Sequence, residues 1–81
     1  NKRGSPQAHA YIQDAIALIR ASAELGHSMS EARASVRDAF GVAKSTLSGW
    51  ERRFRDHHDA RITEGRMKTA GRLYREYVSS T

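Results

Sequence analysis

The chain has 81 residues, no cysteine, and 14 Lys and Arg against 9 Asp and Glu, giving a net charge of +5 and a pI near 10.2. That length bounds one domain with a small core, and the missing cysteines exclude disulfides and thiolate metal sites as its supplement. No apolar run approaches the ~18 residues that a membrane span needs, and no signal-peptide pattern precedes the first helix, so a soluble, intracellular and cytoplasmic domain is expected.

The single proline marks the first element. Ser5-Pro6 reads as an N-cap followed by proline at the first helical position, where its missing N–H costs nothing. Tyr11, Ile12, Ala15, Ile16, Ile19 and Ala23 then recur at steps of three and four, Leu18 and Leu25 broaden the face, and Gly26 stops it. The spacing predicts a helix over Pro6–Leu25, preceded by a basic arm at residues 1–5.

Ser28-Met29-Ser30-Glu31 offers a capping box, with Ser30 as the competing cap. Ala32, Val36, Ala39 and Phe40 give the second helix a narrow apolar stripe that ends before Gly41. A third helix begins near Lys44 and carries Leu47, Trp50 and Phe54. Asp56-His57-His58-Asp59 breaks the apolar pattern and reads as a connection or a frayed end. A last, amphipathic helix is predicted over 63–78: Met67, Ala70, Leu73, Tyr74, Tyr77 and Val78 lie on one side, and Lys68, Arg72 and Arg75 on another. No strand-like alternation of any length occurs. The fold class is therefore all-α, a small domain of about four helices.

Residues 33–50 read Arg-Ala-Ser-Val-Arg-Asp-Ala-Phe-Gly-Val-Ala-Lys-Ser-Thr-Leu-Ser-Gly-Trp. This stretch resembles the helix-turn-helix of bacterial regulators, transposases and site-specific recombinases, placing such a unit at about 30–55 within a single domain spanning 1–81. The resemblance implies that Val36 and Phe40 form the buried face of a supporting helix. Gly41 takes the turn, Val42 plugs it into the core, and Leu47 and Trp50 anchor a recognition helix. Two positions depart from the family pattern. Arg37 stands where alanine is usual and must extend outward or open the helix crossing. Ala43 replaces the usual Ser or Thr cap of the recognition helix.

Physical reasoning runs the same way. Two short helices cross steeply only with a small residue at the bend and apolar residues on both sides of it. The anchored helix then leaves a free face: Lys44, Ser45, Ser48, Gly49 and Arg52, with Thr46, Arg53 and Arg55 at its edges. These side chains are small or hydrogen-bonding, as base-edge readout requires. Gly49 sits mid-helix at a cost of about 1 kcal/mol relative to alanine and reads either as a close approach to DNA or as a tolerated surface glycine. Charge adds to this. Residues 1–43 carry five basic and four acidic side chains (+1), residues 44–81 nine and five (+4), the footprint of a nucleic-acid binder.

The expected activity is therefore sequence-specific binding of double-stranded DNA, in a transcriptional regulator. Alternatives are the recognition module of a transposase, recombinase or phage packaging protein, and a helical protein-interaction or oligomerisation module. Arg37, Arg53 and Arg55 are expected on the DNA backbone. Lys2 and Arg3 could reach phosphates or the minor groove, and Lys68 and Arg72 could touch phosphates, although Glu64–Lys68 and Arg72–Glu76 pairs would instead make that stripe a solvated face. Tyr74, Tyr77 and Val78 read as core closure or a homodimer seam. Asp56-His57-His58-Asp59 is similar to the Asp-His-His signature of metal-dependent phosphoesterases, but the further ligands those sites need are missing from the sequence. No catalytic residue, metal, cofactor or small-molecule substrate is expected.

Overall fold

Pro6 opens the first helix, α1 (Pro6–Glu24), in the computed structural model, which describes residues 6–55 and 57–80. Ser5 lies outside the described residues, as do Lys2 and Arg3. α1 buries Ile12, Ala15, Ile16, Leu18 and Ile19 along the predicted face. It stops one residue early. Leu25 and Gly26 close a turn onto Ser22 and Ala23 (N···O 3.1 and 3.0 Å), and Gly26 takes φ 103°. The chain reverses there, which leaves Leu25 66% exposed rather than on the core face.

Ser28 caps α2 (Met29–Phe40) through the predicted capping box. Its hydroxyl accepts from the Glu31 N–H at 3.1 Å, and its own N–H donates to the Glu31 carboxylate at 3.0 Å. Ala32, Val36 and Phe40 are buried, and Gly41 closes the helix at φ 67°, ψ 37° with its N–H on the Arg37 carbonyl (2.8 Å). A residue with a Cβ is strained in that left-handed conformation, which gives Gly41 its place. α3 (Lys44–Arg53) follows after three residues. Its N-cap, Ala43, makes no side-chain cap bond, as an alanine must not.

The connection that follows α3 is non-helical in its described residues, from which Asp56 is absent. Asp59 holds it by accepting from the Arg61 N–H, Nε and Nη2 at 3.0, 3.0 and 2.9 Å. The last helix does not start at Thr63. Thr63 is extended (φ −123°, ψ 161°), Glu64–Arg66 wind as a 3-10 turn, and α4 runs Met67–Ser79. Gly65, a poor helix former, lies in that turn. Its neighbour Glu64 is drawn back to α1, accepting from the buried Ser22 hydroxyl at 2.9 Å and facing His27 at 3.2 Å. Glu64 is thus committed away from Lys68. Neither the Glu64–Lys68 nor the Arg72–Glu76 pair forms among the described residues.

The described residues hold four α-helices, one 3-10 turn and no strand, so the chain is all-α as its periodicity indicates. α4 packs across α2 and α1. It reaches α2 closely because Gly71 has no Cβ: one placed there would stand 2.2 Å from the Ala39 carbonyl oxygen. Tyr74 closes the core, with its ring 5.5 Å from Phe40 and 5.3 Å from Trp50, while Tyr77 meets Tyr11 at 5.2 Å with the rings inclined by 43°. Leu73 and Val78 stay exposed. Each fully buried large apolar side chain of this core, Phe40, Leu18, Leu47 and Val36, contributes about 1.5–3 kcal/mol.

Candidate nucleic-acid interface

α2, the turn Gly41–Ala43 and α3 form one packed unit. Val36 and Phe40 from α2 and Leu47 and Trp50 from α3 are buried together, and half-buried Val42 packs against them from the turn. Trp50 meets Phe40 edge-on at 6.3 Å. With one side of α3 fixed by these anchors, its opposite side is presented outward. Lys44, Ser45, Ser48 and Arg52 are exposed there, Gly49 is half-buried, and Thr46, also exposed, stands at the edge. No atom lies within 4 Å of a Cβ built on Gly49, so packing does not require the glycine.

Between the two helices runs a groove of about 370 Å³ whose charged lining is Arg33, Arg37, Lys44, Glu51 and Arg52. Arg33 and Glu51 bridge it, Nε lying 3.0 and 3.2 Å from the two carboxylate oxygens. Half-buried Arg37 is accommodated at the edge of this groove and beside Gly41 and Val42, not beneath α3. Arg52 has no hydrogen-bond or ion-pair partner among the described residues. The groove and the outward face of α3 thus gather ammonium, guanidinium and hydroxyl donors on one surface, the set that hydrogen-bonds phosphate oxygens and base edges.

Other expected contacts fall elsewhere. Arg53 turns towards α1: its Nη2 lies 3.1 Å from His9 Nε2 and its guanidinium 5.4 Å over the Phe54 ring. The helix ends at Arg53, so Arg55 follows it in the connection and lines a different cleft, against α1. Lys68 and Arg72 share a groove between α2 and α4 with Asp38, Thr69 and Arg75. Arg75 reaches the turn itself, its Cδ 3.4 Å from where a Gly41 Cβ would stand and its Nε donating to the Gly71 carbonyl at 3.4 Å. Neither Arg75 at the turn nor the Arg33–Glu51 bridge was expected from sequence. Arg33 opens the motif and Glu51 follows Trp50, yet a separation of 18 residues carries no local periodicity that would pair them.

No protein-family model, curated protein or solved structure matches the chain.

Proposed function

We propose that this chain binds double-stranded DNA in a sequence-specific manner, as a helix-turn-helix domain of a transcriptional regulator. α3 enters the major groove, and the chain carries no catalytic step of its own. One observation supports this above the others. Leu47 and Trp50 fix one side of α3 in the core, while Lys44, Ser45, Ser48 and Arg52, which has no partner among the described residues, stand exposed on the other. A helix held in this way can enter the groove without losing its anchorage. Lys44, Ser45, Ser48 and Arg52 read base edges or the adjoining phosphates, Thr46 and Gly49 border them, and Arg37 holds the backbone. Such a domain works where duplex DNA is kept, in a bacterial cytoplasm or nucleoid or in a nucleus.

Selection from a randomised duplex library, followed by titration of the enriched site at several salt concentrations, tests the reading. The expected result is an enriched motif whose affinity falls steeply with salt, with a log–log slope of about −0.9 for each phosphate neutralised. A palindromic motif would report a homodimer with two-fold symmetry. Absence of both a motif and a salt-sensitive affinity overturns the proposal in favour of a helical protein-interaction module.

A further inference from the structure

A cleft of about 630 Å³ opens between the C-terminal half of α1, the first residue of α2 and the end of α3. Its floor is apolar, built from Ile16, Ile19 and Ala23 of α1 and Met29 of α2. Met29 is 44% exposed and Ala23 half-buried, so this end of the floor is open to water, while Ile16 and Ile19, at 7% and 3%, add little exposed area to it. Arg20, Arg52 and Arg55 stand around it. Among the described residues none of these three has a hydrogen-bond or ion-pair partner, whereas Arg33 beside them is taken by Glu51.

Each feature alone is ordinary. Together they are complementary to one kind of molecule. Exposed apolar surface favours an apolar body, and with Arg33 bound to Glu51 the remaining Arg20, Arg52 and Arg55 outnumber Glu24, so the lining keeps a net positive charge that attracts an anion. The volume falls within the range of small-molecule sites. Glu24 also lines the cleft and disfavours a highly charged anion. The geometry points to a binding site for a small organic monoanion, a carboxylate carried on an aromatic ring or a branched aliphatic chain. Arg52 belongs both to this cleft and to the exposed face of α3. On the DNA-binding reading above, and resting on it, an occupied cleft withdraws Arg52 from the duplex and lowers DNA affinity.

The test uses the full 81-residue chain with 2-naphthoate as probe, followed by amide chemical shifts. Shifts are expected at residues 16–29 and 51–57, with Arg20→Glu and Arg55→Glu each weakening binding about fivefold or more. Ala23→Phe fills the floor and abolishes binding. Should that variant unfold, the two exposed charge reversals carry the test alone. Uncharged 2-naphthalenemethanol is expected to bind about tenfold more weakly, and inorganic phosphate to leave the amides of Ile16, Ile19 and Ala23 unmoved. Shifts centred elsewhere, affinity indifferent to both charge reversals, or phosphate acting as well as naphthoate would overturn the site. These readouts need no DNA. A chain that binds naphthoate here but no duplex refutes only the DNA reading, and one that binds duplex but no naphthoate refutes only the cleft.

Discussion

Arg33 on α2 and Glu51 on α3 are joined across the turn, the Arg33 Nε lying 3.0 and 3.2 Å from the two Glu51 oxygens. Both side chains are partly exposed, at 40% and 28%, so solvent discounts the pair to about 0.2–1 kcal/mol. Glu51 is also the one carboxylate in a groove whose other charged residues are Arg33, Arg37, Lys44 and Arg52. Glu51→Gln is therefore expected to lower the melting midpoint by a few degrees and, at low salt, to raise duplex affinity by a few fold. Thermal denaturation and a binding titration read the two effects separately. A loss of affinity would show that Glu51 itself contacts DNA.

Two helical glycines should respond in opposite directions. At Gly71 an added Cβ meets the Ala39 carbonyl at 2.2 Å, backbone that cannot rotate away, so α4 must lift from α2. Gly71→Ala is expected to cost about 3 kcal/mol or more, lowering the midpoint by roughly 10 °C or more. Gly49 has open space around it, and Gly49→Ala should gain about 0.5–1 kcal/mol from helix propensity. On the DNA-binding reading, the same change reduces duplex affinity because a methyl group now stands on the presented face. A stable variant with unaltered affinity would make Gly49 a tolerated surface glycine.

Much of the fold was legible because its boundaries rest on residues with strong local rules. Pro6 admits a helix start, Ser28 with Glu31 satisfies opposite ends of one cap, and Gly41 alone in its segment accepts a left-handed turn. Where the sequence misled, long-range partners decided. Glu64 looked like the base of an i,i+4 pair with Lys68, yet Ser22 and His27, more than 35 residues away, hold it. Gly71 carries no local signal of its role, which appears only once α2 lies against it. For the candidate site, the anchors were readable from spacing because burial follows helical period. The directions of Arg53 and Arg75 were not, since a long cation goes wherever the neighbouring helix offers a partner.

Acid should act on two carboxylates with opposite signs. Asp59 is held down to about 2, first by the Arg61 side-chain hydrogen bonds and then by the Arg61 N–H. A depressed carboxylate contributes stability above its unfolded value, and that contribution is lost between about 3.8 and about 2. Asp14 is raised, chiefly by burial and against the pull of Arg66. Its ionised form costs stability at neutral pH, and the cost is relieved as pH falls through the raised value. Asp14→Asn is expected to raise the midpoint slightly at pH 7, with the gain vanishing well below 3.8. Asp59→Asn should lower the midpoint at pH 7 and flatten its fall below 3.8. Melting curves between pH 2 and 7 separate the two, and an Asp14→Asn gain that persists at pH 2.5 would refute the burial cost.

Arg52 and Arg53 are adjacent in sequence yet have different surroundings, and that difference sharpens the functional test. Arg52 is exposed and without a partner among the described residues, while Arg53 lies against His9 at 3.1 Å and over the Phe54 ring, tying the end of α3 to α1. If α3 reads DNA, Arg52→Ala should cost about 1–3 kcal/mol at the selected site when the guanidinium meets a base. When it meets only phosphate, affinity should fall uniformly across sequences and the salt slope become shallower by about one unit. Arg53→Ala is expected to leave affinity within about threefold and instead to lower stability by about 0.5–1 kcal/mol, as α3 loses its tie to α1. Binding isotherms on the selected and a scrambled duplex, at two salt concentrations, decide between these outcomes. Equal losses of affinity from both substitutions would mean that Arg53 leaves His9 on binding, and an unaffected Arg52→Ala would remove the exposed face of α3 from the interface altogether.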